Sequence, residues 1–157
     1  MISRIAVLVL VFCFAIPGEA SAYETEALIS LRQDQSGHGV HTWELMLNKD
    51  GTIVEEQYNI YVNDPAQIET SKGIRKVSQE QAQLLASNAA ELIAGLPQDV
   101  ETRIVVDPET KAIRIRLGEQ KLFAGWSLYK STPPNDNTRA FQRAWEAIER
   151  ILRGPDA

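Results

Sequence analysis

Residues 42–62 read TWELMLNKDGTIVEEQYNIYV, and the fold turns on how they pair. Trp43, Leu45 and Leu47 alternate with Glu44 and Met46, the period of two expected of a strand with one covered face. Lys49-Asp50-Gly51-Thr52 follows, and Asp-Gly between two β-type runs signals a tight hairpin, because such a turn needs a residue that tolerates positive φ. The return strand is expected over residues 53–62, with Val54, Tyr58, Ile60 and Val62 on one face and Asn63-Asp64-Pro65 ending it.

Before the hairpin, residues 27–32 form a short apolar segment of strand type, separated from Thr42 by the polar break QDQSGHGVH. After it, residues 66–76 are polar and fit strand and loop equally. Ser78 then opens a helix with Gln81 three positions on, the spacing at which the two side chains reciprocally satisfy orphan backbone amides. Leu84, Leu85, Ala89, Leu92 and Ile93 are expected as its apolar stripe, with Gly95 and Pro97 closing it. Strands are expected at 101–106, 113–117 and 122–128, with turns at Asp107-Pro108 and Gly118-Glu119. A last helix is expected over about residues 138–152 on the stripe Phe141, Ala144, Trp145, Ile148 and Leu152.

The implied order is βββα-βββα. It defines an α+β fold of antiparallel sheet, or sheets, with two amphipathic helices on one side. A duplication and two stacked layers of one sandwich both satisfy that order.

The chain has 157 residues, 16 basic and 21 acidic, for a net charge of -5, which argues against a generally basic nucleic-acid binder. Its first 22 residues read MISRIAVLVLVFCFAIPGEASA, with Arg4, an apolar run to Ile16, Pro17-Gly18 and Ala20-Ser21-Ala22, the pattern of a secretory signal peptide with an A-x-A cleavage site. The apolar run is shorter than the roughly 20 residues a permanent bilayer helix needs. Residues 1–22 are therefore expected to be removed, leaving 23–157 as a single α+β domain, periplasmic or secreted, with no permanent membrane span. Cys13, the only cysteine, falls in the removed segment, so the mature chain has no thiol for disulfides, nucleophilic catalysis or metal binding. Cofactors are not expected, and the oligomeric state is open.

Histidine occurs only at His38 and His41, in SGHGVHTWE. Two nitrogen ligands with a nearby carboxylate would suit zinc or copper, and a solvated glycine-flanked loop is the alternative. Asp50-Gly51 matches the centre of a calcium loop, but Met46 and Gln57 stand where that loop needs ligands. There is no G-x-S-x-G nucleophile elbow. A glycosidase-type carboxylate pair would be Glu44 with Glu55, whereas Glu55-Glu56 reads more simply as a solvated strand edge.

Charge is unevenly distributed. Residues 23–100 hold 12 acidic and 5 basic residues, and residues 101–157 hold 8 acidic and 10 basic. Strand alternation gathers Arg103, Arg114, Arg116, Lys121, Phe123 and Tyr129 on the face opposite the core. Such a face suits an acidic protein surface or an anionic envelope polymer. A wet face neutralised by Glu101 and Glu119 is the alternative.

The stretches LISLRQDQSGHGV, WELMLNKDGTI, VSQEQAQLLASNAAELI and FQRAWEAIERIL together resemble, in their order of elements, the emfourin-type protealysin inhibitors and related small secreted α+β domains. That resemblance implies an inhibitor, and the chain is expected to be a non-catalytic protein-binding module, an inhibitor or immunity-type protein of an envelope enzyme; the His38 to His41 loop or the basic face is expected to meet the partner. A periplasmic protein that binds a small ligand or metal, and a periplasmic hydrolase using carboxylates, are the alternatives.

Overall fold

A computed structural model describes residues 27–36, 39–61, 67–96, 109–128 and 135–155. They form six strands and two helices, β1 (Ala27–Ser36), β2 (Gly39–Asn48), β3 (Thr52–Tyr61), β4 (Gln67–Lys76), α1 (Gln79–Ile93), β5 (Glu109–Leu117), β6 (Gln120–Leu128) and α2 (Asp136–Arg153). The strands make one sheet, ordered β4-β3-β2-β1-β5-β6, with every neighbouring pair antiparallel. This is the α+β fold expected, with the described antiparallel strands in one sheet.

The ambiguous stretch 66–76 contributes a fourth strand ahead of the first helix, so the described order is ββββα-ββα. Its polar composition follows from its place: β4 is an outer strand beside β3, broken by two register shifts and carrying Lys72 and Lys76, features that discourage further pairing along an edge. The expected signal peptide and the expected strand at 101–106 lie outside the described residues, as do His38, Arg103 and Tyr129.

The break QDQSGHGVH is shorter than its composition suggests. β1 continues to Ser36 and β2 begins at Gly39, with Gln33 opposite Trp43, Asp34 opposite Thr42 and Gln35 opposite His41. Thr42 Oγ1 donates to Asp34 Oδ1 at 2.6 Å across the pair. At the other end a register shift between Ala27 and Ile29 turns Leu28 into the core with Ile29 and Leu31.

Both helices pack on one face of the sheet. Leu31, Leu45, Leu47, Ile53, Ile113 and Ile115 meet Ala86, Ile93, Trp145 and Ile148 in a single core. Helix α2 buries the stripe the sequence marks, Phe141, Ala144, Trp145, Ile148 and Leu152. It crosses the sheet on a run of rings. Trp126 lies 6.3 Å from Phe141, Phe141 lies 6.2 Å from Trp145, and Trp145 lies 5.9 Å from Trp43.

Helix α1 buries Ala89 and Ile93 of its expected stripe and packs Leu85 against the core, but departs from it at Leu84 and Leu92. It buries Ala82, Ala86, Ala89, Ala90 and Ile93, while Leu84 is 59% exposed and Leu92 is 40% exposed. The alanines sit at helical spacing and, being small, let the backbone approach the sheet closely, whereas leucines at those positions would hold it away. The Ser78–Gln81 capping box is present, and Asn135 with Thr138 forms a second one at the start of α2.

The C-terminal end of α2 is tied to the sheet by charge. Arg75 on β4 donates Nε to Leu152 O at 2.9 Å and Nη2 to Ile151 O at 2.6 Å, so a cation meets the helix's carbonyl end. Arg153 Nη2 donates to Glu55 Oε1 at 2.7 Å, and Trp43 Nε1 donates to the same oxygen at 2.7 Å.

The hydrogen bond from Arg153 holds the Glu55 carboxyl below its ordinary 4.5, with the Trp43 bond adding to it against partial desolvation. A depressed folded pKa contributes stability that is complete above the unfolded value and is lost as pH falls through the folded one. Glu55→Gln should therefore lose less stability than the unsubstituted chain between about pH 5 and pH 3, as followed by urea unfolding at each pH. Parallel pH profiles for the two chains would show that this ion pair does not set the acid limb.

Candidate functional site

The face of the sheet away from the helices carries the chemistry. Register places Ser30, Arg114 and Phe123 in one row across β1, β5 and β6, and Arg116 beside Lys121 in the next. Of the residues singled out for partner binding, Arg114, Arg116, Lys121 and Phe123 are thus brought together at one corner of this open face. The Arg114 guanidinium lies 5.9 Å from the centre of the Phe123 ring. Phe123 is 39% exposed, an aromatic surface framed by cations.

Beside this corner the same face becomes polar and buried. Arg32, Glu44, Glu56 and Ser71 stand opposite one another in a row across β1 to β4. Glu44 is 7% exposed and Glu56 is 9% exposed. Ser30 Oγ donates to Glu44 Oε1 at 2.6 Å, and Ser71 Oγ donates to Glu56 Oε1 at 3.3 Å. Arg32 Nε is held by Asp34 at 2.9 Å. Burial raises the Tyr58 hydroxyl above its ordinary pKa of 10.0, and Glu44, Asp34 and Glu56 add to this against the opposing charge of Arg32.

Two sequence readings are corrected here. Glu55 stands opposite Leu45, one position along from Glu44, so Glu44 and Glu55 project from opposite faces of the sheet and cannot flank one bond as a glycosidase pair. Nor are Glu55 and Glu56 a solvated edge. With β4 outside it, β3 is an inner strand, and each carboxylate has a partner, Arg153 and Trp43 for one and Ser71 for the other. Likewise Val54 and Tyr58 share a face, as alternation requires, but it is the open face. The residue β3 gives to the helix-covered core is Ile53.

His41 is an exposed residue of β2 whose Nδ1 pairs with Asn59 Oδ1 on β3. It lies on the helix side of the sheet, so His41 and the corner of Arg114, Arg116, Lys121 and Phe123 occupy different faces. Among the described residues there is no group of three or more His, Cys, Asp or Glu placed to hold a metal ion. His41, Gln33, Gln35, Trp43, Gln57 and Asn59 line a concavity of about 290 Å³ on the helix side of β1, β2 and β3.

Sequence reasoning missed this concavity and the buried carboxylate row. A signal for the first was present in β1, whose helix-side positions Ile29, Leu31, Gln33 and Gln35 change from aliphatic to amide along the strand. The row Arg32, Glu44, Glu56 and Ser71 has no such signal, because it requires the register of four strands.

No helix among the described residues is long and apolar enough to cross a membrane. The chain matches no protein-family model, no curated protein and no solved structure among those compared. The class is therefore set by architecture alone, a two-layer α+β protein with helices on one face of an antiparallel sheet and a charged, partly aromatic open face.

Proposed function

We propose that this chain is an exported, non-catalytic protein-binding module, an inhibitor or immunity-type protein of an envelope enzyme, that meets an acidic partner with the Arg114, Arg116, Lys121 and Phe123 corner. The observation that carries this reading is an exposed aromatic ring among three cations on a rigid sheet face. Aromatic and arginine side chains are the residue types that most often anchor protein interfaces, and a preformed sheet spares them the cost of ordering on binding. The export pattern at the N-terminus and the resemblance to emfourin-type inhibitors support the same reading.

Capture from an envelope extract tests it. The bound protein should elute as salt rises, since pairing between exposed charges is screened beyond a Debye length of about 10 Å at 0.1 M ionic strength. The double substitution Arg114→Glu with Arg116→Glu should weaken capture by at least about tenfold, because it turns attraction into like-charge repulsion. Equal recovery by the variant would remove this corner as the contact surface.

A further inference from the structure

The other side of the sheet carries a polar concavity. At the edge of the core, which Trp43 still touches, six side chains stand in two rows on the helix-side face. Gln33, Trp43 and Gln57 are opposite one another in the first, and Gln35, His41 and Asn59 in the second. They line the concavity of about 290 Å³, and Gln35, His41 and Gln57 are exposed within it. A sheet face continuing under a helix would carry aliphatic residues here, as Leu31 and Leu45 do one row earlier, because a buried carboxamide without partners is costly. Four carboxamides, an imidazole and an indole therefore mark a surface suited to contact with something polar.

The lining chemistry narrows what that is. None of the six side chains carries a fixed charge. The nearest charges on β5, Lys111 and Glu109, pair with each other at 3.7 Å, and the Lys111 ammonium also sits 5.0 Å from the Trp145 ring. A carboxamide offers a donor pair and an acceptor at one end, which matches neighbouring hydroxyl groups that each donate and accept. The indole N–H of Trp43 is already given to Glu55, and its ring also meets Trp145 and the Arg153 guanidinium, each at 5.9 Å, so Trp43 offers the cleft the part of its carbon surface that these leave uncovered. The bond from His41 to Asn59 fixes two of the polar groups in place. Hydroxyl-matching amides beside an aromatic edge, with the described neighbouring charges paired as Lys111 with Glu109 and Arg153 with Glu55, and in a volume near the lower end of the usual 300–1,000 Å³ for ligand sites, suit one or two sugar rings.

We propose that this cleft binds a neutral saccharide, independently of the basic corner on the opposite face. Titration of the folded chain with N-acetylglucosamine, its β-1,4-linked dimer, glucose and glucuronic acid, followed by calorimetry and by indole fluorescence, tests it. The neutral sugars are expected to bind in the millimolar range or tighter, with glucuronic acid weaker than glucose. Gln33→Ala with Gln57→Ala should weaken binding about tenfold, since each loses hydrogen bonds without disturbing the core. Arg114→Glu with Arg116→Glu should leave it unchanged. If the double glutamine variant fails to fold, Asn59→Ala serves the same purpose. No binding of any neutral probe up to about 50 mM, a preference for glucuronic acid, or undiminished affinity in the cleft variants would each overturn the proposal.

Discussion

Gly51→Ala is expected to destabilise the chain by about 3 kcal/mol or more, a large part of the 5–15 kcal/mol typical of a folded domain. Gly51 has φ of 85°, in the left-handed region where a side chain is strained. Its surroundings make matters worse. A Cβ there would lie 2.1 Å from Val77 O and 3.0 Å from Val77 C, which are backbone atoms leading into α1. The same approach is held by a hydrogen bond from Val77 N to Gly51 O at 2.9 Å. The turn between β2 and β3 would have to withdraw from the start of α1, breaking that bond.

Gly118 supplies the control. It has φ of 59° in the turn between β5 and β6, and a Cβ there meets nothing within 4 Å. Gly118→Ala should cost only the conformational penalty, about 1 kcal/mol. Urea unfolding of both variants separates contact from conformation. Equal losses at the two positions would show that the turn does not bear on α1.

Trp145→Ala is expected to cost about 3–5 kcal/mol, the range for removing a large buried aromatic side chain. Trp145 is 4% exposed and stands between Phe141 and Trp43 in the ring cluster that seats α2. Its loss leaves a cavity at the crossing of α2 over β2 and removes the surface beneath the Lys111 ammonium. Leu84→Ala should change stability by less than about 0.5 kcal/mol, because its side chain already faces solvent. The pair of substitutions is informative because helical spacing puts both residues on an apolar stripe. A loss of several kcal/mol at Leu84 would restore the leucine stripe as the packing face of α1.

That contrast marks how far the sequence could be read. Local signals were sufficient where one element supplies its own pattern: the Asp50-Gly51 turn, the Ser78–Gln81 cap, the alternation in β2 and the stripe of α2. They failed where the answer depends on what lies opposite. Helix α1 has two candidate faces, and the sheet selects the alanine face because close approach needs small side chains. Residues 66–76 read as indeterminate because an outer strand is covered on neither edge nor face strongly enough to leave an apolar pattern. The basic corner was legible from alternation in residues 113–123. The buried Glu44 and Glu56 were not, since nothing within β2 or β3 alone says which strand each will face.

Contact with a partner through the basic and aromatic corner of the open face, as proposed, would cover β5 and β6. Amide hydrogen exchange of the captured complex against the free chain tests it most directly. Slowed exchange is expected in β5 and β6, residues 109–128, with β4 and the exposed side of α1 unchanged. Protection confined to other elements, with residues 109–128 exchanging as in the free chain, would contradict it.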